Sequence, residues 1–185
     1  MNLKITDDLL TPNEYSRPQR PIEQIRAVVM HWVANPMTTP KQNRDFFEQR
    51  RAGENGYGSA HYIVGIDGQI LRVIPDDEMA YHVGSKEYTD YAREKLGSYP
   101  NNCTLGIELC HPDWSGQFTR ETLTSAARLA AHLCREYDLD PALDITTHHR
   151  IVGWKDCPKH FVQHPEMLCA FKIMVHDRIV KEKIA

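Results

Sequence analysis

Cys103-Thr104-Leu105-Gly106-Ile107-Glu108-Leu109-Cys110 is a short β-rich run of apolar residues with one acid in its middle. A run of this length, apolar on both alternating faces, reads as a strand buried on both sides, the kind found inside an α/β sheet. Glu108 is the anomaly. A carboxylate among such neighbours costs several kcal/mol (about the scale of any unpaired buried charge) unless it is paired, hydrogen-bonded or protonated. Two readings stand at this point: the strand lies at a sheet edge and Glu108 reaches water, or Glu108 is kept for proton transfer with a raised pKa.

The other strands follow from the same signal. Ile25-Arg26-Ala27-Val28-Val29-Met30-His31-Trp32-Val33 is a second apolar β-rich run, and it delivers a histidine near its end. His31 is either a core histidine bonded to backbone or a ligand set at the mouth of a sheet, where α/β proteins place their sites. Ala60-His61-Tyr62-Ile63-Val64-Gly65 and Gln69-Ile70-Leu71-Arg72-Val73-Ile74 flank an Asp67-Gly68 turn and predict a hairpin. Thr39-Pro40-Lys41-Gln42 combines a capping threonine, proline at the first helical position and glutamine three residues on. A helix should start there and run to about Arg51, with Phe46 and Phe47 on its buried side. Further helices are expected over about 119–137, capped by Thr119, and from about Pro165 to 180, with Leu168, Phe171, Val175 and Ile179 inward. Cys134 falls on the apolar stripe of the first and reads as core. The fold class is α/β: one domain over residues 1–185 with a mixed central sheet flanked by helices. Its core spans about 24–162, and a C-terminal helix covers about 165–182. Residues 1–23 read as a lead-in arm, and the glycine-rich Gly53–Ser59 as a turn that could rim a substrate.

Composition narrows the function. The chain has 185 residues, 41% hydrophobic and 25% charged, with a formal net charge of -3. Nothing there advertises a nucleic-acid binder, and no run is long and apolar enough to insert in a membrane. The five cysteines are odd in number and contain no CxxC pair, which argues against a disulfide framework. Met1-Asn2-Leu3-Lys4 opens no visible signal peptide. Synthesis in the cytoplasm is therefore expected, with any extracellular action following release or non-standard export. A monomer is expected.

Chemistry concentrates in Thr147-His148-His149-Arg150-Ile151-Val152-Gly153-Trp154-Lys155-Asp156-Cys157-Pro158. Neutral imidazole and thiolate are favoured ligands of zinc, and a catalytic zinc takes three protein ligands. This loop could supply two of them. The plainer alternative is a polar loop with surface histidines and a small buried Cys157. His82, in Met79-Ala80-Tyr81-His82-Val83-Gly84, reads by itself as a solvated polar residue.

Taken together, these pieces resemble the zinc-dependent N-acetylmuramoyl-L-alanine amidases of type 2, a family that includes phage endolysin catalytic domains and relatives of peptidoglycan recognition proteins. The resemblance covers about Ala27 to Phe161. It rests on four pieces in order: the strand ending Met30-His31-Trp32; Ser59-Ala60-His61-Tyr62-Ile63-Val64-Gly65 with its hairpin; Leu105-Gly106-Ile107-Glu108; and His149 with Gly153, Lys155, Cys157 and Pro158. It implies one zinc ion held by His31, His149 and Cys157. His149 is chosen over its neighbour because family members place that ligand eight residues before the cysteine. It implies Glu108 as catalytic acid and base, Lys155 as the group that stabilises the oxyanion, and Tyr81 and His82 as lining the substrate. Ala60 stands where some relatives carry a catalytic tyrosine, which leaves the proton work to Glu108. The implied substrate is peptidoglycan, or a muropeptide cut from it. The rival readings are a non-catalytic muropeptide-binding module on the same fold and a cysteine hydrolase built on Cys157.

Overall fold

The computed structural model describes residues 3–184; Met1, Asn2 and Ala185 lie outside it. Its strands are β1 (Thr6–Asp7), β2 (Ala27–Trp32), β3 (Tyr62–Val64), β4 (Ile70–Arg72), β5 (Thr104–Leu109) and β6 (Ile145–Thr147). They form one six-stranded sheet in the order β1-β4-β3-β5-β2-β6. β3 and β4 pair antiparallel as the hairpin, and every other neighbouring pair is parallel, so the sheet is mixed as expected. Gly68, at φ 83, takes the left-handed turn position that its lack of a Cβ permits, and its N–H donates to the Gly65 carbonyl.

The helices are α1 (Pro40–Gln49), α2 (Asp90–Leu96), α3 (Arg120–Glu136), α4 (Pro141–Asp144), α5 (His148–Val152), α6 (Lys159–Gln163) and α7 (Pro165–Ile184). α1 begins with the capping box read from Thr39 and Gln42 and ends through a short 3-10 turn at Gly53. Its inward residues are Pro40 and Asn43, whereas Phe46 is 48% exposed. Phe47 is partly buried and packs against the core cluster of Ile63, Leu71 and Cys110 as expected, so only Phe46 departs from the buried side. Phe46 and Phe47 face the cleft described below.

Alternation along the strands divides the core into two faces. Val28, Met30, Leu105, Ile107 and Leu109 pack with α3 and α7, where Leu129, Leu133, Phe171 and Val175 are buried. Ala27 and Val29 turn to the opposite face, beside Val83, Ala92 and Ile151. His31 and Glu108 share that second face by the same period of two. β5 sits in the middle of the sheet, between β3 and β2. The edge explanation for Glu108 is therefore excluded.

The arm before β2 is stitched to the domain. Arg17 grips Glu78 with two parallel bonds, Nε to Oε2 at 2.8 Å and an NH2-group nitrogen to Oε1 at 2.7 Å, and a third nitrogen donates to the Leu10 carbonyl at 2.8 Å. The Met79 N–H donates to the Arg20 carbonyl at 2.7 Å, and the Ile22 N–H to Asp77 at 2.8 Å. β1 also belongs to this arm. Two exposed polar residues give no periodic signal, so it was not foreseen. No helix among the described residues is long and apolar enough to cross a membrane.

Candidate functional site

Strand register builds the site. β2 and β5 pair so that His31 lies opposite Glu108. β2 and β6 pair through Met30 and Thr147, which makes His148 the next residue level with His31. Side chains at one level of neighbouring strands emerge on the same face. One imidazole, one carboxylate and a second imidazole are therefore delivered side by side at the C-terminal ends of parallel strands. Thr147 ends β6 and caps α5, its hydroxyl accepting from the Arg150 N–H at 3.2 Å. Gly153 closes α5 in a left-handed conformation, and the chain returns through Lys155 to Cys157.

His31, His148 and Cys157 converge, all buried, with one candidate ligand atom from each inside a 4.8 Å span. Nδ1 of His31 lies 3.2 Å from Nδ1 of His148 and 3.6 Å from the Cys157 sulfur. His149, expected as a ligand, is not part of this group. Its ring nitrogen Nδ1 approaches the Lys155 carbonyl at 3.1 Å and its side chain is 39% exposed. The physical reason is the register. The eight-residue spacing from Cys157 selects position 149, but the residue level with His31 is the first one past β6, and α5 turns the following side chain outward.

Glu108 lies beside this group with Oε2 buried and without a hydrogen-bond partner. Burial pushes its carboxyl up to about 8, opposed by the charge of Lys155. Burial, then the charge of Glu108, push the Cys157 thiol up to about 12. Burial lowers His148 to about 3, and His31 falls well below its ordinary value for the same reason, aided by His148. Every group here is driven toward its neutral form. A bound cation reverses that tendency. The donor set fits a metal of zinc type: two imidazoles and a thiol, no competing acid in the cluster, and a second orphaned buried atom in Nε2 of His148.

The raised Glu108 pKa has a consequence for stability. In metal-free protein between about pH 4.5 and 8, the folded state holds a proton that the unfolded chain has released. Stability should then fall as pH rises through that window. Glu108→Gln cannot titrate, so its melting temperature relative to the parent should climb from about pH 5 to pH 8. Melts in chelator test this; a gap that does not change with pH would contradict it.

His82 is not solvated. It is buried, and its Nδ1 lies 3.0 Å from Nε2 of His31. Tyr81 borders the cleft, its ring tilted against that of Tyr57 at 5.0 Å between ring centres. The cleft measures about 650 Å3, with His31, Glu108, His148 and Cys157 in it and Lys155 among its walls. Tyr57 and Ser59 from the glycine-rich loop also border it, as do Glu14 and Arg20 from the arm. The arm residues were missed because nothing in a polar, proline-marked lead-in announces a wall. His61 was missed as well. Its Nδ1 accepts from the Gly106 N–H at 3.0 Å, and its Nε2 donates to the Glu78 carbonyl at 2.9 Å. A glycine inside a buried strand was the available hint that something packs closely on it.

The fold and the cleft define an α/β protein whose polar chemistry is gathered at the strand ends around a metal-type donor set. Residues 20–160 match the Amidase_2 family, the N-acetylmuramoyl-L-alanine amidases, and the chain belongs to that family. A probable N-acetylmuramoyl-L-alanine amidase of Bacillus licheniformis is 29% identical over 185 residues, covering 99% of this chain and 50% of that protein. The N-acetylmuramoyl-L-alanine amidase BlyA of Bacillus subtilis strain 168 is 26% identical over 186 residues, covering 97% of this chain and 49% of its own length. The chain thus spans about half the length of these relatives. A mutant endolysin from Bacillus subtilis shares the fold, with a TM-score of 0.72 at 18% identity over 94% of this chain and 99% of that one. The PlyG catalytic domain does so with a TM-score of 0.74 at 17% identity, covering 96% of both chains.

Proposed function

We propose that this chain hydrolyses the amide bond between the lactyl group of N-acetylmuramic acid and L-alanine in peptidoglycan, using zinc held by His31, His148 and Cys157. The observation that carries the reading is the buried His-His-Cys group beside an unpartnered carboxylate in one cleft, in a chain of the amidase family. Zinc held there supplies Lewis-acid polarisation of a carbonyl and a supply of nucleophilic water at neutral pH.

The chain's own residues do the rest. Oε2 of Glu108 takes the proton of the attacking water and returns it to the alanine nitrogen, which cannot leave as an anion. A carboxyl held near neutrality by burial suits both directions of that transfer. The Lys155 ammonium offsets charge that develops on the carbonyl oxygen. Tyr81 and Tyr57 offer an aromatic wall for the substrate.

A metal-free cysteine hydrolase fits less well, because a thiol pushed up to about 12 is a poor source of thiolate. A purely binding role gives no use for the orphaned carboxylate.

The test is digestion of purified cell walls. New amino-terminal alanine should appear without new reducing sugar ends, vanish with chelator and return with zinc. Activity that survives chelation and dies with thiol alkylation would favour the cysteine reading. Binding without any new amino terminus would favour the module.

A further inference from the structure

Four imidazoles stand in a row through the interior: His61, His82, His31 and His148, with ring centres 5.7, 5.1 and 4.8 Å apart in turn. His148 and His31 belong to the donor group, but His82 lies outside it. Its hydrogen bonds determine what His31 can do.

Nε2 of His82 lies 3.2 Å from the Thr104 carbonyl oxygen and 3.1 Å from the Thr104 hydroxyl oxygen. The carbonyl can only accept. The hydroxyl has its own hydrogen committed to the Pro100 carbonyl at 2.7 Å, so toward His82 it accepts as well. Nε2 of His82 therefore carries a hydrogen. The ring is buried and has no carboxylate among its hydrogen-bond partners, so it is held neutral and its Nδ1 is a bare lone pair. The 3.0 Å contact to Nε2 of His31 then requires the hydrogen to sit on His31. A neutral His31 with Nε2 protonated has a bare Nδ1. That is the atom facing His148 and Cys157.

Resting on the reading of that group as a metal site, we propose that His82 is a positioning residue: by accepting from His31 and donating to Thr104 it fixes the tautomer and ring direction of His31, so that Nδ1 presents its lone pair to the metal. The surroundings hold His82 to this task. Its backbone N–H and that of Val83 both donate to Oδ1 of Asn101, at 3.2 and 3.0 Å. Gly106 leaves space for the ring, since a Cβ there would come within 2.7 Å of Cγ and Nδ1 of His82. His61, clamped between the Gly106 N–H and the Glu78 carbonyl, abuts its edge. An outer partner that orients a ligand histidine typically contributes ~10–100-fold to metal affinity.

Two measurements test this. In metal-free, 15N-labelled parent protein, long-range couplings in the imidazole rings should show the Nε2–H tautomer at both His31 and His82. In competition with a chromophoric chelator, His82→Ala should bind zinc ~10–100-fold more weakly than the parent, with folding checked by near-ultraviolet circular dichroism. His82→Gln, whose amide can accept from His31 and donate to Thr104, should recover part of that loss. An Nδ1–H tautomer at His31 in a zinc-binding parent would overturn the inference alone. So would a His82→Ala affinity within about twofold of the parent, or a glutamine variant no better than alanine, since effects of outer partners exceed that range. A parent that binds no zinc would overturn the metal reading, and the inference with it.

Discussion

Cys157→Ser is expected to strip most of the zinc from the chain and abolish wall hydrolysis, and His148→Ala to do the same. Losing one of three ligands should cost more than the ~10–100-fold that outer partners contribute. The informative contrast is His149→Ala, which should keep both metal and most of the activity. Its side chain is 39% exposed and reaches the Lys155 carbonyl and, at 3.9 Å, Asp156. Cys134→Ser is the thiol control: Cys134 is buried in the core, outside the His-His-Cys group, so its variant should retain zinc. Metal content after gel filtration and competition with a chelator provide the readout. If His149→Ala loses the metal and His148→Ala keeps it, the register argument fails. Equal retention by the Cys157 and Cys134 variants would remove the thiol from the site.

Glu108→Gln is expected to lower turnover by ~10²–10⁴-fold, the usual contribution of a positioned proton-transfer group. Glutamine matches the shape of the side chain but cannot accept the water's proton at neutral pH. Glu108 is outside the His-His-Cys group, so the variant should still bind zinc. The expected pattern is thus a metal-loaded, folded and nearly inert chain. Turnover near the parental value would make Glu108 structural and pass the proton work to another group, Lys155 first. Loss of zinc would show that the carboxylate supports the metal directly.

Much of the architecture was legible because buried parallel strands and capped helices leave strong local marks. The runs around Val28, Ile63, Leu71 and Ile107 all became strands of one sheet. Thr39 and Thr119 both became helix caps. The failures share a cause: each depended on a partner distant in sequence. Choosing between His148 and His149 needed the pairing of β6 with β2, which no count along the loop contains. Phe46 looked inward by helical period, yet the side of α1 it occupies borders a cleft. His82 looked solvated until Thr104 and His31 were placed on either side of it. Glu108 was the reverse case, since a lone acid in an apolar strand flagged itself and needed the sheet order only to exclude an edge.

The family match and the folded unit begin at different places in this molecule. The family match begins at residue 20, but Arg17 and Leu10 lie before it and Glu14 already walls the cleft. Suppose the chain were begun at residue 24, just inside that match and ahead of β2. Glu78 would lose the guanidinium that neutralises it, and the Met79 N–H would lose its carbonyl. Residues 78–79 lead straight to Tyr81 and His82, and the Glu78 carbonyl anchors His61. The trim would loosen the backing of the His31-His148-Cys157 group from behind while leaving its three side chains in place. Such a chain would keep His31, Glu108, His148 and Cys157 and lose the brace behind them. For a domain of this kind, the safe place to cut is set by hydrogen bonds that cross the arm, not by where a family match begins.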